Sequence, residues 1–337
     1  NLVGIITYSV TPSTSFCTGN PQDFTIIVNP VPQIDDFTQT ICDGGTFDSI
    51  TPVNGEGNIV PSGTTYTWVI DDESSDFVIG GSASTAPSAT IPGSELTLDE
   101  GATSPEDFIY LVTPSSAEEC VGDPFTITIT VNPNGQVDDF DDIIECAGEV
   151  IGPINFSTEN TGGDTSYEWT NNNTAIGLAA EGDLDFIPSF TATAGLNSET
   201  AIITVTPTFT YDGVSCVGPA KTFTIKVNPN GQVNDVSSQV VCNGQETAEV
   251  VFSTNNTDGE TEFNWTNDNT STGLLELEGT GPIPSFVGTA GTAPEISTIV
   301  VTPTYTNNGI ECVGDSFTFT ITVNPTPTME APPNIEV

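Results

Sequence analysis

The sequence contains no histidine and no arginine, and only two lysines, Lys221 and Lys226, stand against 46 acidic residues, for a formal charge of −44. A chain so poor in positive charge has no basic stripe with which to replace the counterions of a nucleic-acid backbone, cradle a phosphate or settle on an anionic bilayer. Nucleic acid is therefore excluded as a partner. The absence of histidine removes the Ser-His and Cys-His nucleophile pairs, the usual imidazole metal ligands and the commonest general base near neutral pH, so an enzyme is not expected. No run of 18 apolar residues occurs, which gives no helical segment for membrane insertion. Asn1 is followed by neither a basic nor an apolar leader segment, so any signal peptide is expected to lie outside this sequence or to have been removed. Self-repulsion at this charge favours solubility and would be screened in salty or divalent-rich water, as in an extracellular setting.

What the sequence does contain is a repeat. One motif returns four times, as FTIIVNP at 24–30, FTITITVNP at 125–133, FTIKVNP at 223–229 and FTFTITVNP at 317–325. Its asparagines, Asn29, Asn132, Asn228 and Asn324, are spaced by 103, 96 and 96 residues, close to the ~100 of one immunoglobulin-like sandwich. Each interval holds the same landmarks in the same order. An early Cys-X-Gly (Cys42, Cys146, Cys242) is followed by an aromatic-X-Trp step (Trp68, Trp169, Trp265). A Val-Thr-Pro step ending at Pro114, Pro207 and Pro303 comes next, and then a late Cys-Val-Gly (Cys120, Cys216, Cys312). The segments between are short alternating runs of Thr, Val, Ile and Phe bounded by Gly, Pro, Asn and Asp, which is the signature of strands and turns.

The expected fold is all-β: tandem seven-stranded immunoglobulin-like, or PKD-like, β-sandwiches arranged end to end. The boundaries read as 31–132, 133–228 and 229–324 for three whole repeats. Residues 1–30 form the closing hairpin of a truncated repeat, and 325–337 a linker or the start of the next. In the third repeat strands are expected near 234–241, 246–254, 261–268, 273–277, 283–287, 295–306 and 316–324. The connections, Asn-Pro steps followed by short Pro- or Gly-containing stretches, predict stiff junctions between successive domains.

The ICDGG, YTW, VTP, CVG and TFTITVNPTP elements resemble the PKD-like and immunoglobulin-like repeats of large surface adhesins of Bacteroidota, of the SprB type found on gliding cells and exported by the type IX secretion route. The resemblance covers nearly the whole chain. It implies a secreted, extracellular structural segment, a stalk or filament that spaces and presents adhesive regions and bears load. Its partners would be neighbouring repeats of the same protein and a surface glycan or protein receptor. A ligand-binding module that grips a glycan or protein through its end loops is the alternative.

Seven cysteines at recurring places point to an oxidising compartment. Three readings stay open. Pairing inside each repeat gives Cys42–Cys120, Cys146–Cys216 and Cys242–Cys312, with the partner of Cys17 outside the segment. In ordinary sandwich topology, however, the two cysteines of a repeat lie at opposite ends. Pairing inside each repeat remains the first expectation; if the topology is ordinary, an early cysteine would lie nearer the late cysteine of the following repeat, as in Cys42–Cys216 and Cys146–Cys312, and free or otherwise paired thiols are the third reading. Trp68, Trp169 and Trp265 read as the core plug of each sandwich in preference to a sugar-stacking platform. Asp36, Asp139 and Asp235 recur at the start of each repeat. They read as exposed charges that discourage edge pairing, with calcium at the junctions as the competing reading and no other cofactor expected.

Overall fold

The computed structural model describes residues 3–329, so residues 330–337 of the expected final linker lie outside the described residues. Strands form where inward apolar side chains alternate with threonines. In Phe125–Asn132, the closing strand of the first repeat, Phe125, Ile127, Ile129 and Val131 are buried and the threonines between them are half-buried. Lys221–Asn228 and Phe317–Asn324 are the corresponding strands of the other two repeats. Each fully buried side chain of this size contributes about 1.5–3 kcal/mol, so the threonine-spaced motif both sets the register and drives the packing.

One sheet order recurs. An entry strand (Phe37–Cys42, Ile143–Cys146 or Gln239–Cys242) pairs with the closing strand. The closing strand pairs with the strand carrying the Val-Thr-Pro step (Glu106–Ser115, Glu199–Tyr211 or Glu295–Asn307). The tryptophan strand (Thr65–Ile70, Asp164–Asn171 or Glu260–Asn267) comes next. In the second and third repeats a short return strand, Val214–Val217 or Ile310–Val313, folds back on the Val-Thr-Pro strand. All pairings are antiparallel except that of the entry strand, which runs parallel to the closing strand.

The fold is the expected all-β arrangement of tandem immunoglobulin-like, PKD-like repeats, with a second layer made of short pairings. In the first repeat this layer is a three-stranded sheet of Gly45–Thr46, Glu95–Leu98 and Val78–Gly80. In the third it is reduced to the isolated bridges Glu246–Val287 and Val250–Ile283, where strands were expected over 246–254 and 283–287. Pro282 and Pro284 supply no backbone N–H, so the ladder cannot extend there. Thr270–Thr272 forms a 3-10 turn capped by the Asn269 side chain, and Glu278–Thr280 is the strand that follows it.

The chain divides into two compact units that do not coincide with the repeats. One contains Asn1–Asp138, Ser157–Tyr167 and Thr206–Ala220; the other contains Asp139–Phe156, Glu168–Val205 and Lys221–Val337. The first unit is centred on Tyr66, Trp68, Leu96, Phe108, Tyr110 and Ile127. It also holds the hairpin Gly4–Val10 with Gln22–Val28, whose apolar side chains Ile5, Tyr8 and Phe24 are exposed. The second unit includes the third repeat's core of Val250, Trp265, Leu274, Ile299, Phe319 and Ile321.

The Val-Thr-Pro and Cys-X-Gly steps explain each other. The glycine N–H of the late Cys-X-Gly donates to the proline carbonyl at 2.9 Å for Gly122–Pro114, Gly218–Pro207 and Gly314–Pro303, and at 2.8 Å for Gly19–Pro12 in the first hairpin. At this glycine the strand also meets the start of its own repeat. A Cβ on Gly218 would sit 1.6 Å from the Gly135 carbonyl oxygen, and one on Gly314 1.6 Å from that of Gly231. Only glycine fits.

Candidate functional site

The parallel entry strand decides where the early cysteines lie. Because Phe37 pairs with Ile127 and Cys42 with Asn132, Cys42 lies at the finish of the closing strand. Cys120 precedes the start of that strand at Phe125. The strand between them rises about 3.3 Å per residue, whereas a disulfide needs α-carbons within about 7 Å. Pairing inside the repeat is thereby excluded. The structure instead bonds Cys42 to Cys216 and Cys146 to Cys312, each with a Cα–Cα distance of 5.5 Å. Each bridge joins one repeat to the next and lies within one compact unit. Cys17, Cys120 and Cys242 are free thiols.

Each bridge closes a small docking site. The incoming element is a tight hairpin whose turn residues take the left-handed conformation: Asp212 (φ 49°) with Gly213 (φ 74°), and Asn308 (φ 52°) with Gly309 (φ 78°). Asp-Gly and Asn-Gly are the sequences that such two-residue turns require. The receiving element is the asparagine of the Asn-Pro step. Asn132 is fully buried, and its side-chain N–H donates to the Tyr211 carbonyl at 3.0 Å and the Val214 carbonyl at 3.3 Å. Asn228, also fully buried, donates to the Asn307 carbonyl at 3.2 Å. Thr40 Oγ1 donates to Asp212 at 2.9 Å in the first seat. In the second, Lys226 Nζ donates to the side chains of Asn307 (3.0 Å) and Asn308 (2.9 Å). One of the chain's two cations is thus spent beneath a turn. In the sequence these asparagines are only repeat landmarks; the clue was an asparagine ending the polar, Thr-bearing row of the closing strand in each whole repeat.

Residues 39–135 and 239–327, more than half of the sequence, match the PKD-like domain. The chain belongs to the PKD-like domain family. Both matched stretches begin in an entry strand and run past the Asn-Pro step. Solved structures that the chain matches include mouse cadherin-23 EC22-24, at 11% identity and TM-score 0.35, covering 88% of this chain and 99% of that one. Three N-terminal domains of the bacteriophage RB49 Hoc protein are 13% identical, with TM-score 0.35 and the same coverage. Drosophila OTK extracellular domains 3-5 are 10% identical, with TM-score 0.28, covering 89% of this chain and 99% of that one. No curated protein matches the sequence.

In the PKD-like repeats the tryptophans are buried, Trp68 at 8%, Trp169 at 3% and Trp265 at 5% exposure. Trp68 Nε1 donates to the Ser82 carbonyl at 2.9 Å. Trp169 and Trp265 are instead roofed by Gly182 and Gly279, where a Cβ would lie 2.6 Å and 2.4 Å from the indole. The three aspartates do different jobs. Asp36 accepts the Thr126 N–H at 2.6 Å, capping the mouth of the parallel pair. Asp139 pairs with Lys221 at 2.6 Å, and Asp235 is exposed. The structural counterparts of Asp36 are Asp142, which accepts the Thr224 N–H at 2.7 Å, and Ser238, which accepts the Thr320 N–H at 3.0 Å. Hydrogen bonding from the backbone N–H and the side chain of Thr224 holds the Asp142 carboxyl below the ordinary aspartate range. Among the described residues, no group of three or more acidic or cysteine side chains is arranged to hold a metal ion. No helix among them is long and apolar enough to cross a membrane.

Proposed function

We propose that this chain is a load-bearing segment of a secreted bacterial surface adhesin, which spaces and presents adhesive regions and performs no reaction itself. The observation that supports this most is the pattern of covalent bonds. Each disulfide leaves a repeat and enters the next, so force applied along the chain meets a covalent shortcut from one repeat to the next. Bonds that tie successive repeats together along the chain suit a stalk under tension. Bridges of this kind persist in oxidising, extracellular surroundings. The resemblance to large Bacteroidota adhesins supports display at the cell surface and export by the type IX route.

Cells producing the protein with Cys42→Ser and Cys146→Ser are the test. They should attach like wild type in still medium and detach at lower shear in a flow chamber. Equal detachment at every shear would refute the load-bearing role. Retention of defined glycans by this segment itself, on an array, would replace the stalk with a binding module.

A further inference from the structure

Two seats are filled in the same way, one at Cys42 and Asn132, the other at Cys146 and Asn228. A third is built to the same plan. Cys242 stands opposite Asn324 in the same parallel register. The Asn243 N–H donates to the Asn324 carbonyl at 2.8 Å, as Asp43 does to Asn132 and Ala147 to Asn228, both at 2.8 Å. The difference is in occupancy. Cys242 is an exposed free thiol, and Asn324 is only half-buried, whereas Asn132 and Asn228 are sealed under a hairpin.

We infer that Cys242 and Asn324 form a docking seat for the late hairpin of a further PKD-like repeat, locked by a disulfide from Cys242 to that hairpin's cysteine. The partner is specified by the two hairpins already seated. It is a Thr-Pro-Thr-aromatic-Thr strand, a two-residue Asp-Gly or Asn-Gly type turn, and a Cys-Val-Gly return strand, with nine positions from proline to cysteine, as in Pro207 to Cys216 and Pro303 to Cys312. The first repeat does not qualify as an occupant. Pro114 and Cys120 are only six positions apart, and the chain turns between them through Ser116 and Cys120, with the Ser116 N–H donating to the Cys120 carbonyl at 3.0 Å. No tip remains to reach a buried asparagine. In the locking step the two thiols lose their protons and join through a new S–S bond. Their two electrons pass to a disulfide oxidant such as oxidised glutathione, which leaves as two thiols.

The test extends the full chain by one repeat. Residues 133–228 are repeated after Asn324, with the added copy's own early cysteine replaced by serine, and the protein is refolded with oxidised glutathione. Non-reducing peptide mapping should find Cys242 joined to the added copy's Cys-Val-Gly cysteine, a pairing absent from the parent. Alkylation of Cys242 should fall from nearly complete in the parent to below about a tenth. A second extension with residues 229–324, altered likewise, offers the Asn-Gly hairpin and should behave the same. Hydrogen exchange reports whether each added repeat is folded. Cys242 left alkylatable beside a folded addition, or joined to Cys17 or Cys120, overturns the proposal. So does failure of both additions to fold, since the seat then holds neither hairpin.

Discussion

Cross-repeat disulfides make a prediction that bridges inside repeats do not, namely that the two bonds act non-additively under force. Cys42–Cys216 and Cys146–Cys312 span sequence separations of 174 and 166. Their spans overlap between Cys146 and Cys216, so with both intact three stretches of chain run in parallel between the two bridges. The shortest of these, about 70 residues, limits the extension of the roughly 270 residues from Cys42 to Cys312. In a single-molecule pulling experiment the oxidised chain should stop about 700 Å short of the fully reduced one, at about 3.5 Å per hidden residue. Cys146→Ser should recover only about 90 Å of this, because the Cys42 bridge alone still hides almost as much chain. Cys42→Ser should recover about 120 Å. Bridges closed inside repeats would give about 250 Å for each bond removed. A step of that size, or a gain matching the whole span of the lost bridge, would refute the connectivity.

Other perturbations test single contacts. Gly314→Ala should destabilise by about 3 kcal/mol, since its Cβ would overlap the Gly231 carbonyl, while Gly291→Ala, with open space around it, should shift the urea midpoint little. Asn228→Ala should cost about 1–3 kcal/mol by stripping the Asn307 carbonyl of its donor in a buried seat. Asn324→Ala, at the open seat, should stay within about 0.5 kcal/mol; equal losses at the two sites would show that the asparagine serves its own strand instead of the incoming hairpin. Asp142, whose carboxyl is held below its ordinary range, contributes stability that is present above the unfolded-state pKa and lost as pH falls through the lowered one. The stability difference between wild type and Asp142→Ser, measured by urea unfolding at a series of pH values, should shrink over that acid window; a difference independent of pH would remove the assigned role. Reduction of one bridge should lower stability by about 5 kcal/mol on the chain-entropy model for loops of this length, read as a drop in the melting temperature of the compact unit that contains it.

Much of this molecule is settled locally. Alternation of Phe, Ile and Val with threonine determines which segments are strands and which face turns inward, and it does so in every repeat because the period of two leaves no other register that buries those side chains. The Asn-Gly step at 308–309 carries its own turn geometry for the same kind of reason, since both residues tolerate positive φ. The acidic composition and the missing histidine are read without any coordinates: the chain has no imidazole and only two cations. What the sequence alone left open was the pairing of Cys42, Cys146, Cys216 and Cys312, because a cysteine carries no local mark of its partner. Tertiary structure decided it through one non-local feature, the parallel alignment of the entry strand with a closing strand some ninety residues later. That alignment moves the early cysteine to the far end of its own domain and beneath the hairpin of the next. The same feature turned Asn132 and Asn228 from strand-end landmarks into the floor of a docking site. In the third repeat, prolines at 282 and 284 withhold the N–H groups a regular strand needs, and the expected ladder shrank to isolated bridges.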